Sequence, residues 1–155
     1  MQPEISDKLK IEWMILADAA EVMNGKVYML GGGWDRIPAS QRDSDLRLFA
    51  IALSIVVPWH QINERHNLEV KIIDADGQRL MFNVTGEFES GRPPGSVRGQ
   101  LLRTPVAFKF AGPLAQVGTY AVVGSIDGEE SCRTTFHVHP PIASRPASPP
   151  RNPDG

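Results

Sequence analysis

Only one cysteine, Cys132, occurs in the 155 residues. No intrachain disulfide can form, and a lone thiol fits a reducing compartment, so a cytoplasmic location is expected. Neither charge sign is in surplus: 16 Lys and Arg stand against 18 Asp and Glu, a net charge of −2. There is no basic excess to hold nucleic acid or an anionic membrane. Long hydrophobic runs are missing too. The longest, Leu48–Val57, is interrupted by Ser54 and falls far short of the ~20 residues a spanning helix needs. Residues 1–10 carry Glu4, Asp7, Lys8 and Lys10 with no apolar stretch, so no secretory signal is expected. Nucleophile motifs such as GxSxG are absent, and the carboxylates are scattered rather than paired. Cys132 is followed by Arg133 but tied to no histidine. The sequence calls for no cofactor.

What is present is strand after strand, punctuated by turn pairs. Asn24-Gly25, Asp76-Gly77 and Asp127-Gly128 each separate two apolar runs. Such pairs accept the positive φ that tight hairpins require. Leu68, Val70 and Ile72 alternate with Glu69 and Lys71; Val106, Phe108 and Phe110 with Ala107 and Lys109; and Phe136 and Val138 with His137 and His139. That period of two is a strand signal. Strands are expected near 11–17, 26–37, 46–57, 68–73, 79–88, 104–110, 118–126 and 132–139. Only Asp18–Met23 is compatible with a helical turn. The expected fold is therefore all-β: an antiparallel sandwich of about seven to nine strands, immunoglobulin-like or jelly-roll-like. Its core should include Phe49, Ile51, Leu53, Ile55, Val70, Ile72, Phe108, Tyr120, Val122, Phe136 and Val138.

Leu46–Val57 is unlike the other segments. Phe49, Ile51, Leu53, Ile55 and Val57 form a face of large side chains. Leu48, Ala50, Ala52, Ser54 and Val56 form a second face, smaller but still apolar. A strand apolar on both faces is covered on both. Either a loop or the N-terminal segment lies over the small face, or another subunit does; the partner expected is accordingly an unknown protein or a second copy pairing through this strand. Residues 140–155 form a separate regime, with six prolines among sixteen residues. A disordered proline-rich tail is expected there, after a domain at 11–139 and a short extension at 1–10. Pro146 to Arg151 fits a PxxPxR pattern, which proline-rich tails match easily.

Several residues invite functional readings. His137 and His139 share one face of a strand, and a strand His-x-His pair can supply two imidazoles to a zinc ion. His60 or His66 would have to complete the site. The plainer reading is a solvent-facing pair opposite Phe136 and Val138. Gly31-Gly32-Gly33 precedes Trp34 and Asp35. Glycine loops cradle phosphates when a helix follows, but a bend or close backbone approach is the simpler use here. Trp59, His60 and His66 belong to a polar connection after Pro58 that has the chemistry of a binding loop, or of a connection plugged by an aromatic. Trp34, Asp35, Trp59, His60 and His66 are thus the candidate binding residues, and no catalytic set emerges.

Two resemblances add to this reading. Leu114, Gly118, Thr119 and Tyr120, with Asp127-Gly128 and Phe136-x-Val138, resemble the last strands of immunoglobulin-like sandwiches, where a tyrosine hydroxyl ties back to the backbone at a corner. Val122 stands where an antibody domain has its cysteine, so the likeness is to the architecture. Across the chain, Leu16-Ala-Asp-Ala-Ala20, Asn24-Gly25-Lys26, Leu30 to Asp35, Val57-Pro58-Trp59, Asp76-Gly77, Gly91 to Gly95 and Gly118-x-Tyr120 resemble an uncharacterised family of small bacterial proteins. That resemblance implies a bacterial cytosolic domain and brings no activity, cofactor or catalytic residue with it.

The function expected is a non-catalytic binding or interaction module. The alternatives are a metal-dependent or small-molecule enzyme built on His60, His66, His137 and His139, and a homo-oligomeric structural protein.

Overall fold

The computed structural model describes residues 8–42 and 44–141. All but the first two residues of the proline-rich tail expected from residue 140, the PxxPxR match and most of the expected N-terminal extension lie outside the described residues. Nine strands are described: β1 (Lys10–Met23), β2 (Lys26–Gly32), β3 (Arg36–Pro38), β4 (Arg47–Val57), β5 (Arg65–Asp74), β6 (Leu80–Glu89), β7 (Leu102–Gly112), β8 (Gly118–Ile126) and β9 (Glu129–His139). One sheet has the order β2-β1-β4-β7 and the other β3-β9-β8-β5-β6. The chain is an all-β sandwich. Every pairing is antiparallel except β3 with β9. Among the described residues no helix is long and apolar enough to cross a membrane.

Three local expectations need correction. Asp18–Met23 is strand, not a helical turn. Asn24 and Gly25 both take positive φ, 49° and 72°, and such a two-residue turn requires extended chain on either side. The stretch 26–37 is two strands in different sheets. Gly31 and Gly33 adopt φ of 58° and 88°, and the chain uses this bend to leave one sheet for the other. A Cβ on Gly31 would also collide with the Asp18 carboxylate. Asp76-Gly77 is not a two-residue turn. Only Gly77 has positive φ there, and Asp74 organises the longer loop by accepting the Gln78 N–H at 2.9 Å.

The inner faces form one core. Of the expected core residues, all but Phe108 are buried. Phe108 is only partly covered because β7 is the last strand of its sheet. Aromatic rings pin the two sheets together: Phe49 stacks on Phe110 at 4.5 Å and meets Phe136 at 6.0 Å, and Tyr120 stacks on Phe136 at 5.5 Å. Gly124 on β8 permits a close approach between the sheets. A Cβ there would lie 2.5 Å from Cδ1 of Ile11 on β1.

The second face of β4 is covered by the chain itself. The β1–β4 ladder stops at Ala17 opposite Ala50. Beyond it β1 bends, and Ala20 packs on Ala50 and Ala52, with Trp13, Val27 and Ala107 around them. Ladder order sets β1 and β2 two and three places from β7, yet both approach it. The β1–β2 hairpin therefore folds back over β4 toward β7, and alanines let it seat closely. At the far end Arg103 of β7 forks onto Glu12 of β1 at 2.8 and 3.0 Å, bridging β4. Leu48 is left 72% exposed.

Two stability outcomes follow. Phe136→Ala should cost about 3–5 kcal/mol, the range for emptying a buried aromatic site, read from urea midpoints at constant m. Gly124→Val should cost about 1–3 kcal/mol through overpacking against Ile11; an unchanged midpoint would show that the sheets do not meet there.

Candidate functional site

The folded-back hairpin leaves a cleft beside it. Because β1 departs from β4 after Ala17, the start of β4 pairs on that side with nothing among the described residues. The gap is a cleft of about 570 Å³ between Asp18–Glu21 and Tyr28–Leu30 on the hairpin and Leu48–Ala50 and Lys109–Ala111 on the sheet. Its lining is largely apolar, with Asp18, Glu21 and Lys109 as its charged members. Leu30 and Leu48 are 73% and 72% exposed, and Tyr28 and Met29 are exposed beside them. Scattered exposed apolar residues are ordinary, but a contiguous concave group of them is a binding feature.

A second, polar cleft of about 460 Å³ lies at the opposite end of β4, among Lys8, Lys10, Gln61, Asp127, Glu130 and Ser131. His66 is buried beneath it. Its Nδ1 donates to Asp127 Oδ2 at 2.8 Å, and its Nε2 lies 3.5 Å from the Gln61 carbonyl. Asp127 also accepts the Asn67 N–H at 2.9 Å. These bonds lower the Asp127 pKa, the Asn67 amide most and His66 next. The pair ties the β8–β9 turn to the start of β5. Ser131 Oγ is engaged with the Ile11 N–H at 2.8 Å rather than with His66.

The candidate residues are divided between the two ends. Trp34 packs edge-on to Phe49 at 5.4 Å and Phe136 at 6.3 Å, which makes it a core anchor. Asp35 is exposed, and its carbonyl accepts the His137 N–H at 2.7 Å. Trp59 opens a short 3-10 turn at the other end of β4. One side of Trp59 meets the core, and Arg92 lies 4.5 Å above its ring. His60 is exposed in the same turn as Trp59. The four histidines do not converge. His66 starts β5, level with the start of β9, whereas His137 and His139 end β9. His137 Nδ1 lies 3.0 Å from Thr119 Oγ1, and His139 Nδ1 donates to the Pro140 carbonyl at 2.9 Å. Among the described residues no three His, Cys, Asp or Glu side chains are grouped to hold a metal ion.

Sequence reasoning missed the apolar cleft. Its walls come from four strands, and only the one-residue exception of Leu48, large on an otherwise small face, signals it in the sequence.

These features define an all-β sandwich with an apolar cleft on one sheet. Residues 12–139 match a family of unknown function (DUF6941), and the chain belongs to that family. The match runs from Glu12, near the start of β1, to His139, the last residue of β9. No curated protein matches the chain.

Asp127 provides a pH test. Its folded-state pKa lies below the ordinary value of 3.8, so its contribution is present above that value and is lost as pH falls through the lowered one. The stability difference between the wild type and Asp127→Asn should be largest near neutrality and shrink below about pH 4. Urea unfolding at pH 7 and pH 3 measures it; equal differences at both would exclude a stabilising carboxylate.

Proposed function

We propose that this domain is a non-catalytic binding module and that the apolar cleft beside the β1–β2 hairpin is its binding surface. One observation carries the reading: Leu30 and Leu48 face solvent, at over 70% exposure, on the walls of a largely apolar cleft. Burying such surface is worth roughly 25 cal/mol per Å², and nothing in the described chain collects that gain. An immunoglobulin-like frame suits this role. The order β1-β4-β7 against β3-β9-β8-β5-β6, with β3 parallel to the last strand, supports it. So does Tyr120, whose hydroxyl donates to the Gln116 carbonyl at 2.7 Å in the manner of a tyrosine corner. The lone, partly buried Cys132 supports a reducing compartment, and the bacterial cytosol is the setting proposed.

The test is the affinity of bis-ANS for the full chain. Leu30→Lys with Leu48→Lys should weaken it tenfold or more. These exposed positions should leave stability within about 0.5 kcal/mol. Unchanged affinity would place the apolar surface elsewhere and remove the cleft from the reading.

A further inference from the structure

A sheet that ends in solvent leaves one side of its last strand without main-chain partners, and such an edge is a template for another strand. The two sheets end on β2, β7, β3 and β6. Short length and proline are among the devices that blunt an edge. β3 is three residues long and closes with Pro38. β7 carries Pro105 in mid-strand. β2 belongs to the hairpin that folds back toward β7. β6 has none of these guards. It runs for ten residues without proline, and its inner row, Phe82, Val84, Gly86 and Phe88, holds no charge.

The direction of its peptide groups follows from β5. The Asn67 carbonyl accepts the Asp127 N–H at 2.9 Å, so Asn67 turns its main chain away from β6. Direction alternates along an antiparallel strand. His66, Leu68, Val70 and Ile72 therefore turn toward β6, to their register partners Phe88, Gly86, Val84 and Phe82. Asp74 keeps the same parity, donating to the Arg79 carbonyl at 3.1 Å. Asn83, Thr85 and Glu87, which alternate with those partners, turn outward. No strand among the described residues pairs with them on that side. Phe82, Val84 and Phe88 reach the core yet stay only partly buried, because the sheet stops beside them.

We infer that the outer edge of β6 is a self-association site, where β6 of a second copy adds in antiparallel register about a two-fold axis at Thr85. Asn83 of each copy then exchanges main-chain bonds with Glu87 of the other, and Thr85 with its own counterpart. Phe82 comes to lie across from Phe88, and Thr85 across from Thr85. Aromatic pairs and threonine pairs are favourable cross-strand neighbours. The five-stranded sheets of the two copies become one continuous sheet.

Charge selects this register. On the outer face Asn83 stands beside Lys71 of β5, and Thr85 beside Glu69. Glu87 forms no ion pair among the described residues, and Lys71 has only Glu69, at 4.0 Å. An axis at Thr85 puts Glu87 of the second copy in line with Asn83 and Lys71. Its backbone is then two strand spacings, ~10 Å, from that of the lysine, a gap that these two long side chains span. An axis at Gly86 would line Glu87 up with Glu69, and an axis at Glu87 would set two glutamates face to face. An axis at Val84 would set Glu87 against Met81, where the β5–β6 register slips. The contact shares no residue with the apolar cleft, so either can fail without the other.

Sedimentation of the full chain from about 1 mM down to about 1 μM, with amide hydrogen exchange at both ends of that range, tests the site. The expected result is a dimer whose Asn83, Thr85 and Glu87 amides are protected at high concentration and free to exchange at low. Thr85→Pro removes an outward donor and no bond to β5, and should weaken dimerisation tenfold or more. Glu87→Lys keeps every main-chain group and should weaken it threefold or more; adding Lys71→Glu should restore it. A chain that stays monomeric throughout, or a dimer indifferent to Thr85→Pro and Glu87→Lys, would overturn the inference. So would protection of these amides that does not change with concentration, because the chain itself would then cover the edge. Protection gained instead at Leu30 and Leu48 would place self-association in the cleft and overturn it at β6.

Discussion

The packing of Ala20 on Ala50 and Ala52 is the contact on which the rest of this structure depends. β4 lies between β1 and β7 and offers large side chains to the core on one face. On its other face it offers residues small enough for a second layer of chain to settle close by. The hairpin can fold back because Asn24-Gly25 reverses it tightly and because the β1–β4 ladder ends at Ala17. Close packing of small side chains gives many weak contacts that a bulkier residue would forfeit. The cleft is a geometric by-product: where β1 lifts away from β4, two strand edges part and Leu48 is left uncovered.

The glycine run belongs to the same device. After forming the second half of the hairpin, the chain must reach the opposite sheet to lay β3 beside β9. Gly31 and Gly33 supply the left-handed backbone for that crossing, and Gly31 also leaves room for Asp18. A run read as a bend rather than a phosphate loop is thus a sheet-to-sheet passage leading into a strand. Trp34, just beyond it, seals the core at the crossing by meeting Phe49 and Phe136. At the other end, His66 and Asp127 lock a turn to a strand, and Arg92 closes over Trp59. Most of the polar and aromatic residues that looked functional are fastening the two ends of the sandwich.

Much of the fold was legible in the sequence. Period-two alternation located the strands whose one face is buried, and Asn24-Gly25 and Asp127-Gly128 marked tight hairpins because positive φ at both positions is chemically restrictive. The two-faced pattern of 46–57 called for a covering layer, with a loop, the N-terminal segment or another subunit as candidates, and the β1–β2 hairpin is what lies over Ala50 and Ala52. What stayed hidden depends on pairing. Whether β1 continues past Ala17 is decided by β2 and by the alanines on β4, not by residues 18–23 themselves. Phe108 reads like any inward residue of its strand, yet β7 ends its sheet. The cleft, with walls from four strands, leaves Leu48 as its one local sign. The separation of His66 from His137 and His139 likewise follows from strand direction, which no spacing encodes.

Seating of the hairpin on the small face of β4 is best tested by native-state hydrogen exchange on Ala50→Leu. Ala50 is 1% exposed beneath the hairpin and lies on the face turned away from the main core. A hairpin held there by close alanine packing predicts that amides of residues 20–28 exchange at least tenfold faster in the variant, while Val122 on β8 keeps its protection. Hairpin amides that retain wild-type protection in Ala50→Leu would contradict the central claim, because the added side chain would then have found room that close packing does not leave.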